Sequence, residues 1–216
     1  MSNSQRSSPN ILITVPSGVM LPSEDPSDLS PRMLMHPSHA RTEAINQQVL
    51  GTPGVGKSTL AMQLAEKTGL EWLEVSRLAQ QLGCLQEYDE VYQCPVLDED
   101  KLLDNMEFMM GPGGKIVDYH GCDFFPERWF DIVFVLRTNN TLLYDRLTNR
   151  GYKDKKLEDN VQCEIFQTIL EEAQRSYKAE IVHQLSSNTP EDMKDNLNNM
   201  AAWVDYWRDS HNTSIS

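Results

Sequence analysis

The sequence predicts a three-layer α/β fold, a five-stranded parallel sheet with helices on both faces. Three observations predict it. Short apolar, β-rich runs alternate with longer stretches of helical periodicity. One run, Ile132-Val133-Phe134-Val135-Leu136, is apolar without a break, as expected of a strand covered on both faces. Gly51-Thr52-Pro53-Gly54-Val55-Gly56-Lys57-Ser58 has the G-x-x-x-x-G-K-[ST] spacing of a phosphate-binding loop, which joins a strand to a helix.

Residues 1–9 are Ser-rich and read as a disordered tail, followed by Asn10-Ile11-Leu12-Ile13-Thr14 as the first core strand. A phosphate-binding loop needs a buried strand leading into its first glycine, and Ile45-Asn46-Gln47-Gln48-Val49-Leu50 is a poor one. The good strand lies upstream, separated by residues 15–50. These carry Pro16, Pro22, Pro26, Pro31 and Pro37 amid Ser, Asp and Gly, with too little apolar surface to offset their ordering entropy. They read as a disordered insertion, either real polypeptide or an artefact of the gene model.

One domain is expected over residues 51–210, with a tail over 211–216. Its further strands fall at Trp72–Val75, Lys115–Asp118, Ile132–Leu136 and Ile181–Leu185, and its helices at about 57–68, 76–83, 98–110, 139–149, 157–178 and 190–209. The last helix is the clearest. Thr189 can cap it, Pro190 suits its first turn, and Met193, Leu197, Met200, Ala201, Val204 and Trp207 follow one stripe.

The phosphate loop carries the first chemistry. Its glycines, Gly54 and Gly56 among them, let backbone N–H groups turn inward on an anion. Lys57 adds positive charge toward the β- and γ-phosphates, Ser58 offers a hydroxyl to Mg²⁺, and Thr59 extends the helix N-terminus aimed at the same phosphates. Asp118 ends a predicted strand at the edge where α/β sheets open toward ligand, and a carboxylate there can hold Mg²⁺ through water. His120, two residues on, can orient a water or an acceptor phosphate, and the planar fork of Arg128 suits a second phosphate.

The formal net charge of −13 argues against direct nucleic-acid binding and favours a basic protein partner or a simply solvated surface. Cys84, Cys94, Cys122 and Cys163 form no C-x-x-C pair, so neither a zinc ribbon nor a disulfide framework is expected, and unpaired thiols fit a reducing compartment. No apolar run reaches the ~20 residues of a bilayer span, and Met1–Ser8 has no secretory h-region, so no membrane association is expected.

The pairing of the phosphate loop with Asp118-Tyr119-His120-Gly121-Cys122-Asp123-Phe124-Phe125-Pro126-Glu127-Arg128-Trp129-Phe130 resembles the adenylate kinase isoenzyme 6 family. The stretches Cys94–Asp100, Arg150-Gly151-Tyr152, Gln162–Gln167 and Ile181–Leu185 resemble it too. The resemblance implies a P-loop nucleoside-monophosphate kinase fold with an NMP-binding region at about 74–97 and a lid at about 149–159. It implies transfer of the ATP γ-phosphoryl, with Mg²⁺, to AMP or a related monophosphate, accompanied by ATPase activity. Lys57, Asp118 and His120 would act in catalysis. Arg150 would lie over the adenine and phosphates of ATP, and the loop Ser186-Ser187-Asn188-Thr189 would contact the adenine. Gln80 stands where the family carries an arginine suited to the monophosphate. Nuclear and cytoplasmic location and a role in small-ribosomal-subunit biogenesis follow from the resemblance alone. An ATP-switched assembly factor gripping a basic ribosomal protein, with little kinase activity, is the alternative.

Overall fold

The computed structural model describes residues 6–14, 55–89 and 94–212. The expected insertion at 15–50 and Gly51–Gly54 of the phosphate loop, including the candidate ligand Gly54, lie outside the described residues. So do residues 1–5 and 213–216.

Strand β1 (Ile11–Thr14) is buried along its whole length because it lies at the centre of the main sheet. It pairs in parallel with β5 (Lys115–Asp118) on one side and β6 (Ile132–Arg137) on the other. Strands β2 (Glu71–Glu74) and β7 (Val182–Ser186) form the edges, giving the parallel order β2-β5-β1-β6-β7. The strand alternation splits the core into two layers. Ile11, Ile13, Ile116, Ile132, Phe134 and Leu136 face one cluster, filled by α1 (Lys57–Thr68), α4 (Asn140–Asn149) and α7 (Pro190–Asn212) through Leu60, Leu64, Leu143, Leu147, Met200 and Val204. Leu12, Val117, Val133 and Val135 face the other. That layer is filled by α2 (Val75–Gln81), α3 (Glu99–Met110) and α6 (Thr168–Ser176) through Val75, Ala79, Leu102, Met106, Met110, Ile169 and Ala173. The three-layer fold is as the sequence predicts, and among the described residues no helix is long and apolar enough to cross a membrane.

Three local features differ from the sequence expectation. The helix expected at 157–178 is two helices, α5 (Asp154–Phe166) and α6, parted at Gln167 with φ 57°. They part because they serve different layers: Leu157 of α5 packs in the first cluster, and Ile169, Leu170 and Ala173 of α6 in the second. A two-stranded antiparallel sheet, β3 (Leu85–Asp89) with β4 (Cys94–Leu97), has no counterpart in the reading, since β3 is largely polar and β4 contains Pro95. Residues 6–9, expected as tail, are anchored. The Arg6 guanidinium donates to the carbonyls of Trp129 at 3.0 Å and Arg128 at 2.9 Å, and pairs with Asp131. Cys84, Cys122 and Cys163 are buried thiols outside any disulfide among the described residues.

Candidate active site

Every strand of the main sheet runs the same way, so the last residues of β1, β5 and β6 share one edge. Helix α1 begins there. Gly56 precedes it with φ 87°, a left-handed conformation that side-chain-bearing residues adopt at a cost, and no side chain caps the helix. The amides of its first turn, at Lys57, Ser58 and Thr59, are therefore available to an anion. Ser58 is half-buried and Thr59 exposed.

Lys57 Nζ is ion-paired with Asp118 Oδ1, and Trp72 Nε1 donates to Asp118 Oδ2 at 3.3 Å. Asp118 is buried at the end of β5, in register with Ile13 of β1 and Glu74 of β2. His120 is buried beyond it, its ring 4.0 Å from that of Tyr119, and its Nε2 has no hydrogen-bond partner among the described residues. Burial, and then the Lys57 charge, hold its imidazole well below the ordinary histidine range, so it is neutral. Phosphate loop, strand-end carboxylate and histidine are thus brought together.

A cavity of about 600 Å³ adjoins the loop, lined by Val55, Gly56, Arg146, Arg150, Thr189 and Met193 among others. The Ser187 hydroxyl donates to Val55 O at 2.5 Å, joining the phosphate loop to the loop after β7. Arg146 donates to the carbonyls of Ser187 at 2.9 Å and Asn188 at 2.6 Å, and stands one helical turn before Arg150 on α4. Asp192 accepts from the backbone of Asn188 at 2.8 Å and of Thr189 at 3.2 Å, while Thr189 Oγ1 accepts from Asp192 N at 3.1 Å. This reciprocal cap starts α7 and lowers the Asp192 carboxyl below its usual range. Arg150 and Thr189 therefore do reach the cavity beside the phosphate loop.

Two candidates do not join this cluster. Gln80 is exposed on α2, the helix that follows β2. Arg128 lies at the opposite, amino-terminal edge of the sheet, in the short turn Glu127–Trp129 that leads into β6. Its carbonyl accepts from Arg6 and its guanidinium donates to Glu107 Oε2 at 2.6 Å. Arg128, expected to clamp a second phosphate, thus stands apart from the α1 N-terminus: after leaving β5 the chain crosses back along the sheet before re-entering it. Sequence reading missed Trp72 and Arg146, and named Ser187 only as part of the loop after β7. Only Arg146 left a signal, its four-residue spacing from Arg150.

The donor set fits Mg²⁺. That ion keeps most of its waters and takes one or two protein oxygens beside substrate phosphates. Ser58 and Asp118 supply such oxygens at one edge, and no cluster of three or more acidic, His or Cys residues occurs among the described residues. Both would hold the ion with bound nucleotide.

A parallel sheet whose central strand is followed by a helix opening at a left-handed glycine, with that helix's first lysine on a strand-end aspartate, defines a P-loop kinase. A family model described as an AAA domain matches residues 48–167. The chain is 50% identical over 163 residues to an adenylate kinase isoenzyme 6 homolog of Drosophila melanogaster, covering 76% of this chain and 93% of the relative. It is 50% identical over 168 residues to one of Caenorhabditis elegans, covering 77% and 92%, and 40% identical over 178 residues to one of Saccharomyces cerevisiae, covering 82% and 90%. The chain belongs to the adenylate kinase isoenzyme 6 family, and with it to the nucleotide-binding phosphotransferases.

Proposed function

We propose that the chain transfers the γ-phosphoryl of ATP to AMP or a related nucleoside monophosphate, and hydrolyses ATP when no acceptor is bound. The observation that carries this reading is the meeting of Lys57 and Asp118 at the α1 N-terminus, next to a neutral, unpartnered His120. On binding ATP, Lys57 leaves Asp118 for the phosphates, which join the α1 amides. An acceptor phosphate oxygen then attacks the γ-phosphorus in line. The bond to the bridging oxygen breaks and ADP leaves, so ATP and the monophosphate become two diphosphates. Such transfer is governed by positioning and charge neutralisation. Mg²⁺, when bound, adds charge neutralisation at the phosphate oxygens. His120 orients the attacking oxygen. Arg150 lies over the base and phosphates, and Ser187 with Thr189 borders the base. The region 74–97, with Gln80, holds the monophosphate, and 149–159 closes over ATP to exclude water.

A second reading has specific support. Gln80 lacks an arginine's charge and Arg128 lies at the far edge, which points to a weaker acceptor site. With a net charge of −13, this favours an ATP-switched assembly factor that grips a basic small-subunit ribosomal protein, in nucleus and cytoplasm. ADP formation from ATP·Mg²⁺ by the full chain, with and without AMP, separates the two. Turnover that rises with AMP, two ADP appearing per AMP consumed, supports the kinase. Turnover indifferent to AMP overturns it in favour of the switch.

A further inference from the structure

Two hydroxyls hold the turn that follows His120. From β1, Thr14 Oγ1 donates to the carbonyl of Gly121 at 3.5 Å. From the end of α6, the Tyr177 hydroxyl donates to the carbonyl of Cys122 and lies 3.5 Å from that of Phe125. The Tyr177 phenol is buried and stands edge-on to Phe130 at 5.9 Å, and the Tyr177 backbone N–H donates to Ala173 O at 2.9 Å at the end of α6. The Cys122 thiol adds a weak bond to Ile169 O at 3.9 Å, also on α6. The His120 imidazole is buried against the Tyr119 ring, its Nε2 has no hydrogen-bond partner among the described residues, and the backbone carbonyls that follow it are held from outside the loop by Thr14 and Tyr177.

We infer that Tyr177 is a positioning residue: its hydroxyl fixes the Cys122 carbonyl and so the direction in which His120 faces the phosphates. This rests on the reading above in which His120 orients the attacking oxygen. A residue 57 positions further along the chain and on another helix then tunes the transfer without touching either nucleotide, and the phenol supplies something a phenylalanine of the same shape does not.

The test uses the full chain and Tyr177→Phe, which keeps the buried ring and removes only the donor. Turnover of ATP with AMP is expected to fall about tenfold in kcat, with KM for both nucleotides within about twofold, because orientation and not binding is lost. In a His120→Ala background the same substitution is expected to add nothing, since its effect passes through the missing imidazole. A readout independent of turnover is the NMR signal of the His120 Cε1–H group, assigned by its loss in His120→Ala. It is expected to be a single resonance in the native chain, and displaced or split in Tyr177→Phe. An unmoved His120 signal, even with lowered thermal stability, overturns the proposal and leaves Tyr177 as core packing. Multiplying effects of the two substitutions overturn it equally. Absence of any AMP-dependent turnover defeats the kinase reading instead, and the His120 signal still decides the role of Tyr177.

Discussion

Ser187 donates its hydroxyl proton to the carbonyl of Val55 at 2.5 Å, across a separation of 132 residues. Through this bond the loop after β7 and the turn before α1 form one surface. The backbone of Ser187 is held separately, by N–H donation to Arg137 O at 2.7 Å, so the loop keeps its place when the hydroxyl is removed. Ser187→Ala leaves a buried carbonyl unpaired and costs about 1.4 kcal/mol at the phosphate loop. KM for ATP is expected to rise about tenfold and kcat to change by less than about threefold. Unchanged ATP dependence means that the two loops bind nucleotide independently.

The Lys57–Asp118 pair makes a prediction about stability as well as turnover. Asp118 is buried, and among the described residues only the Trp72 indole donates to it besides Lys57. Lys57→Met is expected to abolish turnover and destabilise the nucleotide-free chain by about 3 kcal/mol, the usual order for removing one partner of a buried pair. Lys57→Met with Asp118→Asn leaves no buried charge. It should recover most of that stability while remaining inactive. Equal denaturation midpoints for the single and double variants would contradict the idea that Asp118 depends on Lys57.

Those two pairs show which parts of the site sequence alone reveals. Lys57 and Asp118 were legible because each occupies a position defined by local pattern: a glycine-bounded loop, and the end of an apolar strand. Arg150 and Thr189 were legible through resemblance. The partners of Ser187, Trp72 and Arg146 lie between 41 and 132 residues away, and no local pattern encodes those distances. The position of Arg128 in the fold was not legible for a related reason. The residue follows Asp118 closely in sequence, yet Tyr119–Pro126 carry the chain from one edge of the sheet to the other. The five main strands were readable from apolar runs. The break at Gln167 and the β3–β4 pair were not, because the first follows from two helices serving different core layers and the second pairs a largely polar strand with one that contains a proline.

His120 gives the pH dependence of stability a definite sign. Its folded pKa is lowered, by burial first and the Lys57 charge second, so the unfolded chain binds the proton more readily. Stability from this group is complete above the ordinary histidine value near pH 6.5 and is lost as pH falls below it. The contribution to the slope approaches about 1.4 kcal/mol per pH unit well below that value. His120→Asn removes the titrating group, so its denaturation midpoint should vary less between pH 6.5 and pH 5 than that of the native chain. Parallel profiles would show that the imidazole reaches solvent and takes up its proton in the folded state.

Arg128 supplies the test of a negative expectation. Its side chain is 57% exposed and its partner Glu107 is 49% exposed, a surface pair of the kind that contributes at most about 1 kcal/mol. The bond that anchors the amino-terminal segment runs from Arg6 to the Arg128 carbonyl, which every substitution retains. Trp129 Nε1 also donates to Glu107 Oε2, at 2.8 Å, so Glu107 keeps a partner when the guanidinium is gone. Arg128→Ala is therefore expected to leave KM for AMP and kcat within about twofold of the native chain and to shift stability by less than about 1 kcal/mol. A phosphate clamp behaves differently, since loss of a charge-assisted contact costs about 1.5–3 kcal/mol and would raise KM for AMP by one to two decades. A rise of that size would require the turn Glu127–Trp129 to move from the amino edge of the sheet to the carboxyl edge during turnover. It would have to break the Arg6 and Asn10 bonds to the Trp129 carbonyl as it went.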